Sequence, residues 1–138
     1  MQKLVIDTNI WIDWFRRGVH EELLLGQGAV KYLSSIVLME LYAGAHRSAD
    51  QRRLDRFVRA FEGTRRIITP SMDNYRLAGQ VLAMLSRRHG FEARKMTGLS
   101  HDVLIALTAR SIGATVVTAN RRDFVWIQDA CSFDLQII

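Results

Sequence analysis

Several residue types are scarce in this chain, and each scarcity excludes something. Of 138 residues, one is cysteine (Cys131) and one is proline (Pro70). A lone cysteine forbids an intramolecular disulfide, which excludes a disulfide-stapled secreted scaffold and fits a reducing, cytoplasmic setting. The four histidines, His20, His46, His89 and His101, are scattered and with Cys131 offer no zinc-type spacing. No charge-free run exceeds ten residues (77–86 and 111–120), well short of the roughly 18 a membrane helix needs. Asp7 and Asp13 interrupt any apolar signal-peptide core, so the expectation is a soluble protein. Repeats, low-complexity tracts and linkers are missing as well. Lysine is rare, three against sixteen arginines within a net charge of +5. Arginine's planar fork suits phosphate better than a lysine point charge, which hints at nucleic acid. An ordinary solvated surface encoded by a GC-rich genome accounts for the same composition.

The remaining composition is that of a globular chain, 49% hydrophobic and 24% charged. Its length is expected to form one domain, residues 1–138, burying about two-thirds of the unfolded surface. Short apolar runs read as strands at 3–7, 30–34, 65–69, 114–118 and 133–138. Helical spacing covers 9–16, 20–26, 36–46, 50–62, 72–88 and 101–112, with Ser34 or Ser35 as N-cap of the third. Within 50–62, Leu54, Phe57, Val58 and Phe61 form one face, and Arg52, Arg53, Arg56 and Arg59 the other. Residues 101–112 are apolar nearly all round, as in a buried helix. Strand alternating with helix predicts an α/β fold around a mostly parallel sheet. In that arrangement strand C-termini and helix N-termini share an edge, where ligands bind.

Against this frame, four acids sit in apolar surroundings. Asp7 follows the run Leu4-Val5-Ile6, a poor place for a carboxylate. Glu40 lies within "IVLMELYAG", Asp102 within "SHDVLIA" and Asp123 within "TANRRDF". Asp102 is expected in the first turn of the buried helix, where the dipole favours negative charge. The strand and helix ends predict that all four meet at one edge. Crowded carboxylates repel one another, so either some hold protons or a cation sits among them. Hard divalent ions prefer oxygen ligands, and such an ion could lower the pKa of a bound water and steady in-line attack at phosphorus. Taken singly, each acid also has an ordinary structural explanation. Asp7 caps the helix at 9–16, Asp102 is a first-turn acid, Glu40 faces solvent, and Asp123 opens a short helix.

These motifs resemble those of PIN-domain proteins, most closely the VapC-type toxins of prokaryotic toxin–antitoxin pairs. The resemblance rests on "VIDTNIW" at the start, "MELYAG" at 39–44, "HDVLIALTA" at 101–109 and "VVTANRRDF" at 116–124. It implies a three-layer α/β/α sandwich and a Mg²⁺- or Mn²⁺-dependent endoribonuclease. Position by position, Asp7, Glu40, Asp102 and Asp123 match the family's acidic quartet, which implies both catalytic and metal-binding roles. Thr118 and Asn120 match the polar pair supporting the pocket, and Asn9 belongs to the first motif. His101 departs from the small or amide residue common before this Asp. The resemblance further implies a homodimer and a VapB-like antitoxin whose C-terminal tail blocks the site. Trp11, Trp14 and Phe15 are candidates for that interface, with core packing as the alternative. Arg94, Lys95, Arg121 and Arg122 are candidate contacts to RNA phosphates, with plain surface charge as the alternative.

Two other functions compete. A haloacid-dehalogenase-like phosphohydrolase also places an Asp after its first strand, but needs a second Asp two residues on, where this chain has Asn9. A non-catalytic RNA-binding or scaffolding module with a structural ion would be marked by a broken quartet, and this one is intact. Nucleotide-binding loops fail on motif, because "GQGAVK" at 26–31 lacks the last Gly of G-x-G-x-x-G.

Overall fold

The central strand of the sheet is the one that ends at Asp7. In the computed structural model, which describes residues 1–138, β1 (Gln2–Ile6) pairs with β2 (Ala29–Ser34) and β4 (Thr115–Thr118). β3 (Ile67–Ile68) and β5 (Asp134–Ile137) complete a five-stranded sheet of order β3-β2-β1-β4-β5 with every pairing parallel. Leu4, Val5 and Ile6 are fully buried, as expected of a central parallel strand covered on both faces. The helices are α1 (Thr8–Arg17), α2 (Glu21–Leu25), α3 (Ser35–Ala43), α4 (Ser48–Gly63), α5 (Met72–His89), α6 (Ala93–Ser111) and α7 (Arg121–Ala130). They complete the expected α/β/α sandwich, with α1, α3 and α4 in mutual contact and α5, α6 and α7 likewise. No helix is long and apolar enough to cross a membrane.

Local chemistry explains the element ends. Ser34 caps α3 by accepting a hydrogen bond from the Ile36 N–H at 3.1 Å. Ser71 and Asn74 form a reciprocal capping box at the start of α5. β3 is shorter than the expected 65–69 because Arg65 takes a left-handed conformation (φ 57°) and Pro70 brings no N–H to the ladder.

Two helices depart from the sequence expectation. α6 begins at Ala93, eight residues before the expected start at 101, so the segment "EARKMTG" is helical from its second residue. Ala93, Arg94, Lys95 and Met96 are good helix formers, and Met96, Leu99 and Val103 carry the apolar stripe upstream at spacings of three and four. α7 fills 121–130, where only a short helix at Asp123 had been weighed; it buries Phe124 and Ile127, three apart.

The aromatic residues of α1 divide. Trp11 is 2% exposed and meets Phe57 at 4.8 Å, Trp14 at 5.9 Å and Phe61 at 6.1 Å, all edge-on. Trp11 is therefore core and not a free interface residue; Trp14 and Phe15 are half-buried against the same cluster. The Trp11 Nε1 is the buried side-chain nitrogen without an acceptor. Trp11→Ala should cost about 3–5 kcal/mol. Trp11→Phe should cost less than half as much, since it removes an unpaired N–H along with the lost volume. Urea denaturation checks both, and equal losses would mean that the indole nitrogen is satisfied after all.

Candidate active site

One polar cleft brings the distant acids together. Its ten lining residues include Asp7, Glu40, Asp102 and Asp123, with Thr8, Asn9, Gly98, His101 and Asn120, and only Ile12 is apolar. Asp7 directly follows β1, and its N–H extends the ladder to Val117 O at 2.9 Å. It is also the N-cap of α1, its Oδ1 accepting from the Thr8 N–H at 2.8 Å. The structural and functional readings of this residue are thus not alternatives. Thr118, fully buried at the end of β4, donates to Asp7 Oδ2 at 2.7 Å and accepts from the Asn120 N–H at 3.0 Å.

The other acids come from helices. Glu40 lies on α3, where Thr8 Oγ1 donates to its Oε1 at 2.7 Å and His101 Nδ1 stands 3.4 Å from its Oε2. Asp123 occupies the first turn of α7, capped by Asn120. Its Oδ2 accepts from Asn120 Nδ2 at 3.1 Å and its Oδ1 from Lys95 Nζ at 3.0 Å, with Arg122 Nε at 3.6 Å. Asp102 is the tenth residue of α6, in mid-helix. The longer helix corrects the expectation of a first-turn acid, and the helix dipole, which acts at the ends, does not steady its charge.

The electrostatics sort these acids into two kinds. Asp102 is pushed up to about 8, first by burial and then by the charges of Asp7, Glu40 and Asp123, against a weaker pull from Lys95. Burial also raises Asp7, opposed by the hydrogen bonds from Thr118 and Thr8 and reinforced by Glu40. Burial pushes Asp123 up too, but bonds from Asn120 and Lys95, with the charges of Lys95 and Arg122, outweigh it and hold the carboxyl below its usual range.

No three of the Asp, Glu, His and Cys side chains converge closely enough to hold an ion as they stand. The hydrogen bonds just described point Asp7, Glu40 and Asp123 at separate donors. The donor set nevertheless suits a hard divalent cation: oxygen throughout, four carboxylates in one cleft, and negative charge in excess around Asp102.

Three residues of the cleft escaped the sequence reading. Thr8 links two acids, and its signal was a hydroxyl directly after Asp7 in a helix start. Ile12 is one α1 turn beyond Thr8. Gly98 lies one turn before Asp102, and a Cβ there would meet nothing within 4 Å. None of the four proposed RNA contacts lines the cleft: Lys95 and the exposed Arg122 reach Asp123 from outside it, and Arg94 and Arg121 are exposed.

Protonation of Asp102 links the cleft to stability. Between the ordinary value of 3.8 and about 8, the folded protein holds a proton that the unfolded chain has released. Stability from this group is fully present below pH 3.8 and is lost as pH rises through about 8. In chelator-treated protein, Asp102→Asn should raise the melting temperature, by a few degrees for each ~1 kcal/mol relieved. The gain should grow from about pH 5 to about pH 9. A constant or shrinking difference over that range would refute the crowding of charge.

Known proteins resemble this chain over nearly its whole length. A family model of the PIN domain matches residues 4–127. The tRNA(fMet)-specific endonuclease VapC of Shigella flexneri is 32% identical over 127 residues, covering 90% of this chain and 91% of that protein. A chain of DNA-bound VapBC from Salmonella typhimurium superposes with a TM-score of 0.70 at 27% identity, covering 99% of this chain and 98% of that one. VapBC2 from Rickettsia felis, bound to a promoter DNA fragment, shares the fold with a TM-score of 0.72 at 24% identity and 99% coverage of both chains. The chain belongs to the PIN-domain family and is closely related to the VapC-type toxins of toxin–antitoxin systems.

Proposed function

We propose that this protein is a metal-dependent endoribonuclease of the VapC type, acting in the cytoplasm as a homodimer and neutralised by a VapB-like antitoxin. The observation that carries the reading is the convergence of Asp7, Glu40, Asp102 and Asp123 on one polar cleft from four separated stretches of chain. The kinship with a tRNA-specific VapC endonuclease supports RNA as substrate, and the VapBC assembly of the Salmonella relative supports a protein partner.

In this reading Asp7 and Asp102 would hold Mg²⁺ or Mn²⁺, with Glu40 and Asp123 completing the set of ligating oxygens. The bound ion would supply charge stabilisation at the scissile phosphate and a more acidic water. The protein's own contribution is orientation. Thr118 and Thr8 fix both oxygens of Asp7, Thr8 holds Glu40, and Asn120 holds Asp123. Glu40, with His101 beside it, would orient the attacking water and receive its proton. Lys95 and Arg122, at the Asp123 side, supply the positive charge that a phosphodiester strand meets at the cleft.

Purified protein should cleave RNA with Mg²⁺ or Mn²⁺ and stop when chelated. Asp7→Asn or Asp102→Asn should lower cleavage on the order of a hundredfold or more while circular dichroism stays unchanged. Wild-type rates in either variant, or in exhaustively chelated protein, would leave a non-catalytic RNA-binding module or a metal-free nuclease instead.

A further inference from the structure

The chain has a second aromatic cluster, and it differs from the one around Trp11. Trp126 on α7 is half-buried but stands outside the residues packed on the core, whereas Trp14, Phe15, Phe57 and Phe61 all belong to them. Its neighbours are cations and rings. Lys95 Nζ lies 4.7 Å from the ring centroid and the Arg122 guanidinium 5.4 Å. Phe91, which does pack on the core, sits at 4.8 Å, and His89 stacks on Phe91 at 5.1 Å and 19°. A large indole kept off the core and flanked by two cations is poorly explained by packing.

Its position gives it a purpose. Trp126 is three residues after Asp123 and four after Arg122, so each of the two stands about one turn, or ~5 Å, from it along α7. Lys95 ties the two features together, since the same ammonium contacts Asp123 Oδ1 and lies over the Trp126 ring. Lys95 thus joins the aromatic face to Asp123 at the margin of the acidic cleft. Rings bordered by arginine and lysine are what single-stranded nucleic acid requires: π-faces for bases and cations for the phosphates between them.

We infer that Trp126 is a stacking platform for an unpaired nucleobase of the RNA strand entering the cleft, while Lys95 and Arg122 take the adjoining phosphates. This rests on the nuclease reading of the cleft and adds a base-recognition residue beside it. A fully base-paired stem buries its bases in the stack and cannot present one to the indole.

The test uses full-length protein in the Asp7→Asn background with Mg²⁺. Two fluorescein-labelled ten-nucleotide probes are titrated by anisotropy, an oligoadenylate and the same strand with every base replaced by an abasic ribose. Trp126→Ala should weaken oligoadenylate binding about tenfold or more and leave the abasic strand within about twofold. Trp126→Phe, which keeps a ring, should restore most of the loss and guards against a folding defect. Equal weakening of both probes, or of neither, would overturn the platform. Cleavage by otherwise wild-type protein separates this from the parent reading. Wild type that cuts no RNA sinks the nuclease; wild type that cuts, with Trp126→Ala binding and cutting as well, sinks only the platform.

Discussion

The hydrogen bond from Thr118 to Asp7 joins residues 111 positions apart, and the acidic cleft is organised around it. Asp7 is 5% exposed, and a carboxylate so placed needs donors on both oxygens or it forfeits its charge. It has them, from β4 through Thr118 and from the first turn of α1 through Thr8. Both partners exist only because β1 lies between β2 and β4 in a parallel sheet. Thr8 and Thr118 then extend the tie outward, to Glu40 on α3 and to Asn120 before α7.

Around this anchor the acids are unequally provided for. Asp123 is surrounded by an amide and two cations, and Glu40 has a hydroxyl and an imidazole nearby. Asp102 has neighbours that mostly repel it, and burial first, then repulsion, makes it hold its proton to about 8. Two aspartates of one cleft are thereby driven in opposite directions by their surroundings. A cation entering the cleft would act most strongly on Asp102, whose charge only Lys95 offsets, and weakly.

Much of this was legible in the chain because the fold is regular. The apolar runs ending at Ile6, Ser34 and Thr118 located the strands, and the rule that parallel strands and their helices share an edge placed Asp7 and Asp123 together. The rule worked less well for Asp102, which reaches the cleft from mid-helix. Gly98 reads as a break in sequence, yet α6 carries it because the apolar stripe continues on both sides. Trp126 was invisible for the opposite reason. Residues 121–130 show only two buried apolar positions, too few for periodicity to mark a helix, so the face shared by Asp123 and Trp126 appears only in three dimensions. The spread of the carboxylates was also unreadable, since it depends on which hydroxyl or amide each finds.

The order of the strands has a bearing on biosynthesis. β1 is made first, but its partner β4 and the Asn120–Asp123 cap are made after residue 114, and β5 covers the flank of β4 later still. A ribosome-bound chain that stops short of these residues presents Asp7 without its threonine and without the opposite wall. If the acids do cut RNA, translation itself withholds the activity until nearly all of these 138 residues have emerged.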